Sequence, residues 1–323
     1  MWRNTPESGA QPHLLLLATQ RWATAARLGL AMRAVGFRVS IWSPYGHPLL
    51  LTGAVDRHHA YRTFETLDSL EAAVIAADPQ LIVPCDDLAT FHLQQLAERA
   101  ITRPHLRRVL EVIEYSLGPA ADLNRLTSRT YVLANAAEAG VAVPATARIH
   151  SPADLPPWFQ ANGFPAYLKA DGTSGGIGVR PVYSYQKAEA AFRALDAPPR
   201  MLRALKRLTI DRDSTLMGPL VRRQHPAISV QRAVAGTEAT SAVFCWRGQV
   251  LAGISVQVLA TRYQRGPSTV VRRFHNAAID RAAEVLAGRL NLSGFYGLDF
   301  VLDEQTVTPW LIEMNSRATQ IAH

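Results

Sequence analysis

The sequence predicts an α/β domain on a parallel sheet followed by an α+β remainder of two parts, and three observations carry that prediction. Short apolar runs alternate with helix-like stretches through the first third of the chain. A glycine-rich turn separates two strand-like runs near its middle, and two long β-rich runs, a helix and a final strand pair close it.

The first domain, residues 1–115, is Rossmann-like. Strand-like runs at residues 14–17, 37–42 and 81–84 enclose helical stretches at 22–35 and 69–77, a βαβαβ rhythm whose strands pair in parallel. Gly36 and the pair Asp78-Pro79 supply the helix stops. Where a dinucleotide fold needs GxGxxG after its first strand, the chain reads Ala18-Thr19-Gln20-Arg21-Trp22, so no NAD site is expected. Residues 88–101 form a helix, and an aspartate of the pair Asp86-Asp87 before it is read as its N-cap in preference to a ligand contact at the strand end. A basic break at 103–108 leads to the boundary near residue 115. In the second domain, 116–323, a helix at 128–139 closes on Gly140, and Val141-Ala142-Val143-Pro144 is extended. Its two parts span about 145–235, around the glycine turn, and about 236–323.

Of the 323 residues, 48% are hydrophobic and 19% charged, a globular composition that argues against disorder. Lysine and arginine total 34 against 26 acids, a formal charge of +8 that favours anionic ligands. The two cysteines, Cys85 and Cys245, lack metal or disulfide spacing, which fits a reducing compartment. The first apolar run is too short for a signal core or a membrane span, so a cytoplasmic location without membrane contact is expected. The arginines between Arg200 and Arg223 lack interleaved aromatics, so nucleic acid is disfavoured as a partner. His58-His59 has no ligand spacing for a metal, and no GxSxG elbow marks a serine hydrolase.

Two segments carry the chemistry. Lys169 ends a strand and is followed by Asp171-Gly172-Thr173-Ser174-Gly175-Gly176-Ile177-Gly178, a loop whose backbone N–H groups suit a polyphosphate; a plain glycine-rich hairpin turn is the alternative. Residues 297–303 and 309–317 read as a hairpin. Pairing Leu302 with Trp310 sets Asp299 opposite Glu313 and puts Asn315 on the same face, with Ile312 and Met314 on the core face. Three oxygen donors on one face suit magnesium, Arg317 lies two residues beyond, and a solvent-facing polar edge is the bland alternative.

In this order the motifs resemble the ATP-grasp superfamily of carboxylate-amine and carboxylate-thiol ligases, with the preceding domain those enzymes carry. The resemblance covers most of the chain, from Ile82-Val83-Pro84 with Asp86 and Asp87, through the helix opening at Ser128-Arg129, to the final hairpin. It implies an ATP-grasp fold, ATP as cofactor, and Mg2+ with Mn2+ as a substitute. It implies that Arg129, Lys169, Gly175, Gly176 and Gly178 contact the ATP phosphates. The backbone of Gln231, Arg232, Ala233 and Val234 would meet the adenine, and Glu238 the ribose. Asp299, Glu313 and Asn315 would hold the metal, with Arg317 and Lys169 as the catalytic residues.

The implied reaction activates a carboxylate as an acyl phosphate and joins it to an amine, releasing ADP and phosphate, with small-molecule carboxylate and amine partners and a homodimer as one assembly state. Arg129 stands where many members have lysine, Arg232 where glutamate is frequent, and many members continue beyond the point where this sequence stops at His323. An ATP-binding sensor, or a degenerate ATP-grasp protein without ligase turnover, is therefore the alternative function.

Overall fold

The computed structural model describes residues 11–172, 178–197, 225–262, 266 and 268–323. Gly175, Gly176 and the basic stretch from Arg200 to Arg223 lie outside the described residues.

The first sheet is parallel, with β1 (His13–Leu17), β2 (Arg38–Ser43), β3 (Arg57–Ala60) and β4 (Leu81–Pro84) in the order β3-β2-β1-β4. All five residues of β1 are buried, because helices cover both faces of a parallel sheet. Leu15 and Leu17 join Trp42, Ile82 and Leu93 in one core, while Leu14 and Leu16 join Val39, Ile41 and Val83 in another. The covering helices are α1 (Ala23–Ala34), α2 (Thr66–Ala77), α3 (Asp87–Ile101) and α4 (Arg107–Leu117). Strand β3 breaks the expected rhythm: its Arg-His-His-Ala sequence has no apolar alternation, and it is an edge strand held through β2 alone.

Short α5 (Ala120–Leu126) leads into α6 (Arg129–Glu138), which ends one residue before Ala139 gives way to Gly140. Next comes an antiparallel sheet of β5 (Thr146–Ile149), β6 (Ala166–Ala170), β7 (Val179–Val182) and β8 (Ile228–Arg232), ordered β5-β8-β6-β7. Helices α7 (Leu155–Asn162) and α8 (Tyr185–Asp196) back it through Phe159, Leu168, Phe192 and Val230. Strands β6 and β7 flank the glycine-rich loop, as the sequence predicts.

The third sheet is antiparallel, with β9 (Gly236–Trp246), β10 (Gln249–Thr261), β11 (Ser268–Arg273), β12 (Gly294–Asp303) and β13 (Pro309–Asn315) ordered β11-β10-β9-β12-β13. The long β-rich run beyond Glu238 divides at Arg247 and Gly248, whose φ values of 47° and 80° make the two-residue turn of a hairpin. Helix α9 (Ala277–Arg289), capped by the Asn276 side chain, packs Ile279, Ala283 and Leu286 against Tyr296, Leu298 and Phe300. Edge strand β11 is largely exposed and has no core periodicity by which a sequence reading finds it.

The final hairpin has two registers. Asp299 faces Glu313 and Leu298 faces Met314, as expected, but Leu302 pairs with Pro309 and Val301 with Trp310. A bulge between Asp299 and Phe300 takes up Ile312 as the extra residue. The expected pairing of Leu302 with Trp310 is thus corrected by one residue, and Ile312 lines the central cavity instead of facing the core.

Residues 316–318 strap β13 to the first domain and to α5. Ala318 N–H donates to Pro84 O at 3.0 Å, Thr90 Oγ1 to Ser316 O at 3.1 Å, and Ser316 Oγ to Leu126 O at 3.0 Å. Among the described residues no helix is long and apolar enough to cross a membrane.

Candidate functional site: a cavity between the three sheets

One cavity of about 430 Å³ opens between the sheets. Its lining includes Arg129, Lys169, Gln231, Arg232, Val234, Glu238, Asp299, Glu313, Asn315 and Arg317, side chains supplied by α6, β6, β8, β9, β12, β13 and the segments next to them. Gly178 and Ala233 are described but do not line it.

The acidic end is built on cross-strand neighbours. Asp299 and Glu313 face each other across β12 and β13. Thr240, opposite Asp299 on β9, donates its hydroxyl to Asp299 Oδ1 at 2.8 Å, and Asn315 Nδ2 donates to Asp299 Oδ2 at 2.9 Å. Burial, and then the Glu313 carboxylate, raise the Asp299 carboxyl to a pKa of about 6. Burial also acts to raise Glu313, but Arg129, Lys169 and Arg317 overcome it and hold Glu313 below its ordinary range.

Among the described residues no group of three His, Cys, Asp or Glu side chains could hold a metal ion. The donor set is two carboxylates and one amide. A half-buried pair of carboxylates, one of them already hard to ionise, is a set that a hard divalent cation relieves, with substrate phosphates completing the shell, so these residues fit magnesium.

Arg129, expected at the phosphates, is locked among carboxylates. Its side chain is 6% exposed, Nη1 meets Asp171 Oδ1 and Nη2 meets Glu313 Oε1, each at 2.7 Å. The signal for Asp171 was present in the sequence, since it follows Lys169 by two residues and so shares its face. Lys169 is buried on β6 and donates through Nζ to Gln231 Oε1 at 2.6 Å. Gln231 Nε2 in turn reaches Thr146 Oγ1 at 3.1 Å and Ile312 O at 3.3 Å. Burial, countered in part by Glu313, lowers the Lys169 ammonium to about 8.

The segment expected to meet an adenine is partly committed elsewhere. Arg232 N–H donates to Ala145 O at 2.9 Å and Ala233 N–H to Pro165 O at 3.0 Å, which leaves the Val234 N–H as the segment's available amide among the described residues. Glu238 is exposed on β9 at the cavity wall.

At the opposite end Arg317 Nε donates to Asp87 Oδ1 at 2.6 Å, and its Nη2 lies 3.5 Å from Asn315 Oδ1. Of the aspartate pair read as a helix cap, Asp86 takes that role: it accepts from Ala89 N–H at 2.8 Å and also from the Thr19 N–H and hydroxyl. The Thr240 hydroxyl and the side-chain role of Gln231, expected only through its backbone, were missed because each acts through a strand pairing that no local motif encodes.

This arrangement of a parallel-sheet domain and two α+β sheets around one cleft is the ATP-grasp fold with its preceding domain. Three solved structures carry the comparison. An L-amino acid ligase from Bacillus licheniformis superposes with a TM-score of 0.64 at 15% identity, over 95% of this chain and 67% of its own. A biotin carboxylase from Campylobacter jejuni in complex with β-γ-ATP gives 0.64 at 15% identity, over 95% and 65%. A carboxyaminoimidazole ribonucleotide synthase from Aspergillus clavatus complexed with ATP gives 0.64 at 14% identity, over 96% and 71%. The chain spans about two thirds of the length of these structures. No family profile and no curated protein sequence matches it.

Proposed function

We propose that the protein is an ATP-dependent ligase that activates a carboxylate as an acyl phosphate and joins it to an amine, releasing ADP and phosphate. The observation that carries this reading is the convergence of Lys169, Glu238, Asp299, Glu313, Asn315 and Arg317 on one cavity. Likeness to an amino acid ligase and to two ATP-complexed structures supports the same chemistry.

In this reading the Val234 N–H meets the adenine edge and Glu238 accepts from the ribose hydroxyls. Lys169, held by Gln231, turns its remaining N–H groups to phosphate oxygens. Asp299, Glu313 and Asn315 would hold magnesium, which when bound neutralises phosphate charge during transfer. Arg317 steadies the γ-phosphoryl group as a substrate carboxylate oxygen attacks phosphorus and ADP departs. An amine nitrogen then attacks the acyl carbonyl, phosphate leaves, and the nitrogen sheds its proton to solvent. Transfer of this kind asks the protein for position and charge compensation more than for covalent help, and the site offers both.

One observation favours the alternative of nucleotide binding without turnover: Arg129 already commits both Nη groups to Asp171 and Glu313. The two readings separate on one experiment. Magnesium-dependent ADP release in proportion to a new amide, lost in Glu313→Ala, supports the ligase. Nucleotide binding with no ADP formed across acids and amines supports the sensor, and unchanged turnover in Glu313→Ala removes the metal assignment.

A further inference from the structure

The cavity continues past Arg317 into the first domain, where no nucleotide contact has been assigned. The parallel sheet has its switch point between β1 and β4: the chain leaves β1 toward β2 and β3 on one side, and β4 returns on the other. Ligands of open parallel sheets sit in the crevice at the carboxyl ends of such strands. Trp22 and Thr24, after β1, and Cys85, after β4, line the cavity there. Thr319, Gln320 and Ile321 line it from the other side, placed by the strap bond from Ala318 N–H to Pro84 O.

The chemistry of this end differs from that of the nucleotide end. Among the described residues its one cation is Arg317, and Asp87 already takes the Arg317 Nε. No lysine or histidine among them stands with it to meet a phosphate dianion, whose burial needs several charge-assisted donors. Its other groups are uncharged: an indole 44% exposed at Trp22, the branched aliphatic side chain of Ile321, the thiol of Cys85, which is 3% exposed and held neutral by burial, the hydroxyls of Thr24 and Thr319, and the amide of Gln320. Trp22, Cys85 and Ile321 give this end an apolar side, with the neutral Thr24, Thr319 and Gln320 beside it and one compensated arginine at the rim, which suits a hydrocarbon body that carries its reacting group toward Arg317.

We propose that this end of the cavity seats the apolar, unphosphorylated body of one substrate of the ligation, with Trp22 and Ile321 as the residues that select it. The inference rests on the ligase reading for the word substrate, but the subsite itself is tested by binding alone. L-phenylalanine is a fitting probe, because it carries both a carboxylate and an amine on an apolar body and so represents either reaction partner. L-serine and O-phospho-L-serine are its polar and phosphorylated counterparts.

The experiment is titration calorimetry on the 323-residue protein with each probe, with and without a non-hydrolysable ATP analogue and magnesium. L-phenylalanine should bind roughly tenfold or more tightly than L-serine, and phosphoserine should not compete with it. Trp22→Ala and Ile321→Asn should each weaken L-phenylalanine by roughly tenfold and leave analogue affinity unchanged. Trp22 is solvent-exposed enough for its replacement to be tolerated by the fold, and Ile321→Asn is an independent second variant. Phosphoserine binding as tightly as phenylalanine would overturn the proposal. So would phenylalanine affinity unmoved in both variants, or no phenylalanine binding under either condition. Failure of the ATP analogue to bind sinks the nucleotide reading instead, and the titrations without analogue still decide the subsite.

Discussion

Replacing Asp299 by asparagine should make the nucleotide-free protein more stable while destroying its affinity for magnesium nucleotide. The folded chain raises this carboxyl from an ordinary 3.8 to about 6, so between those values the folded state holds a proton that the unfolded state has released. Stability from this group therefore falls as pH rises through that window, and the full cost stands above pH 6. At 1.36 kcal/mol per pH unit the cost is about 3 kcal/mol. Asparagine removes the charge but keeps an oxygen for the Thr240 hydroxyl, and its amide must meet Asn315 after that side chain turns its own oxygen inward. The turn gives up a hydrogen bond worth about 1 kcal/mol, leaving a net gain of about 2 kcal/mol. Thermal unfolding without divalent cations from pH 4 to 8 is the assay. Wild type and variant should melt together near pH 4, with the variant about 3 °C higher at pH 7.5. Parallel pH profiles for the two proteins, or a wild type that gains on the variant as pH rises, would refute the reasoning.

Other sites give further expectations. Lys169, lowered to about 8 from 10.5, leaves the folded chain short of a proton that the unfolded chain keeps, so its contribution to stability rises with pH across that interval. A polyphosphate restores the charge, and calorimetry at pH 8.5 in two buffers of different ionisation enthalpy should show proton uptake on ATP binding in wild type and none in Lys169→Met. Arg129→Met leaves the Asp171 and Glu313 carboxylates without their shared partner and should cost about 3–5 kcal/mol in a urea titration. A β-carbon at Gly297 would lie 2.2 Å from Thr319 Cγ2, so Gly297→Ala should lose about 1–3 kcal/mol, and adding Thr319→Ser, which lacks that methyl, should recover most of it.

The parts of the fold legible in sequence are those whose burial is continuous or strictly periodic. Four successive leucines in β1 can only be a strand covered on both faces, and Asp78-Pro79 cannot continue a helix. The pairing of Asp299 with Glu313 was legible because the polar positions at 299, 313 and 315 interrupt apolar alternation on both strands. Its continuation to Leu302 was not, because the bulge at Ile312 replaces one apolar residue by another on the opposite face, and hydropathy is blind to that exchange. Edge strands β3 and β11 bury too little to leave a period. Arg129 shows the limit most clearly: its charge is visible, but its partners are 42 and 184 residues away, so only the assembled fold decides that carboxylates reach it first.

Glu313, Asn315, Arg317 and Ala318 are near neighbours in the chain, which bends after β13, and Ala318 is bonded to the carboxyl end of β4 through Pro84. The acidic end of the cavity and the sheet of the first domain are thus joined by a short run of chain as well as by packing. Any tilt of that sheet, such as a molecule wedged between the ends of β1 and β4 would cause, pulls along residues 316–318 like a tendon. Its pull arrives at Arg317 and Asn315 across a few peptide bonds. Mutations in the parallel sheet far from the carboxylates should therefore detune them by displacing this short segment, even while every hydrogen bond around them stays in place.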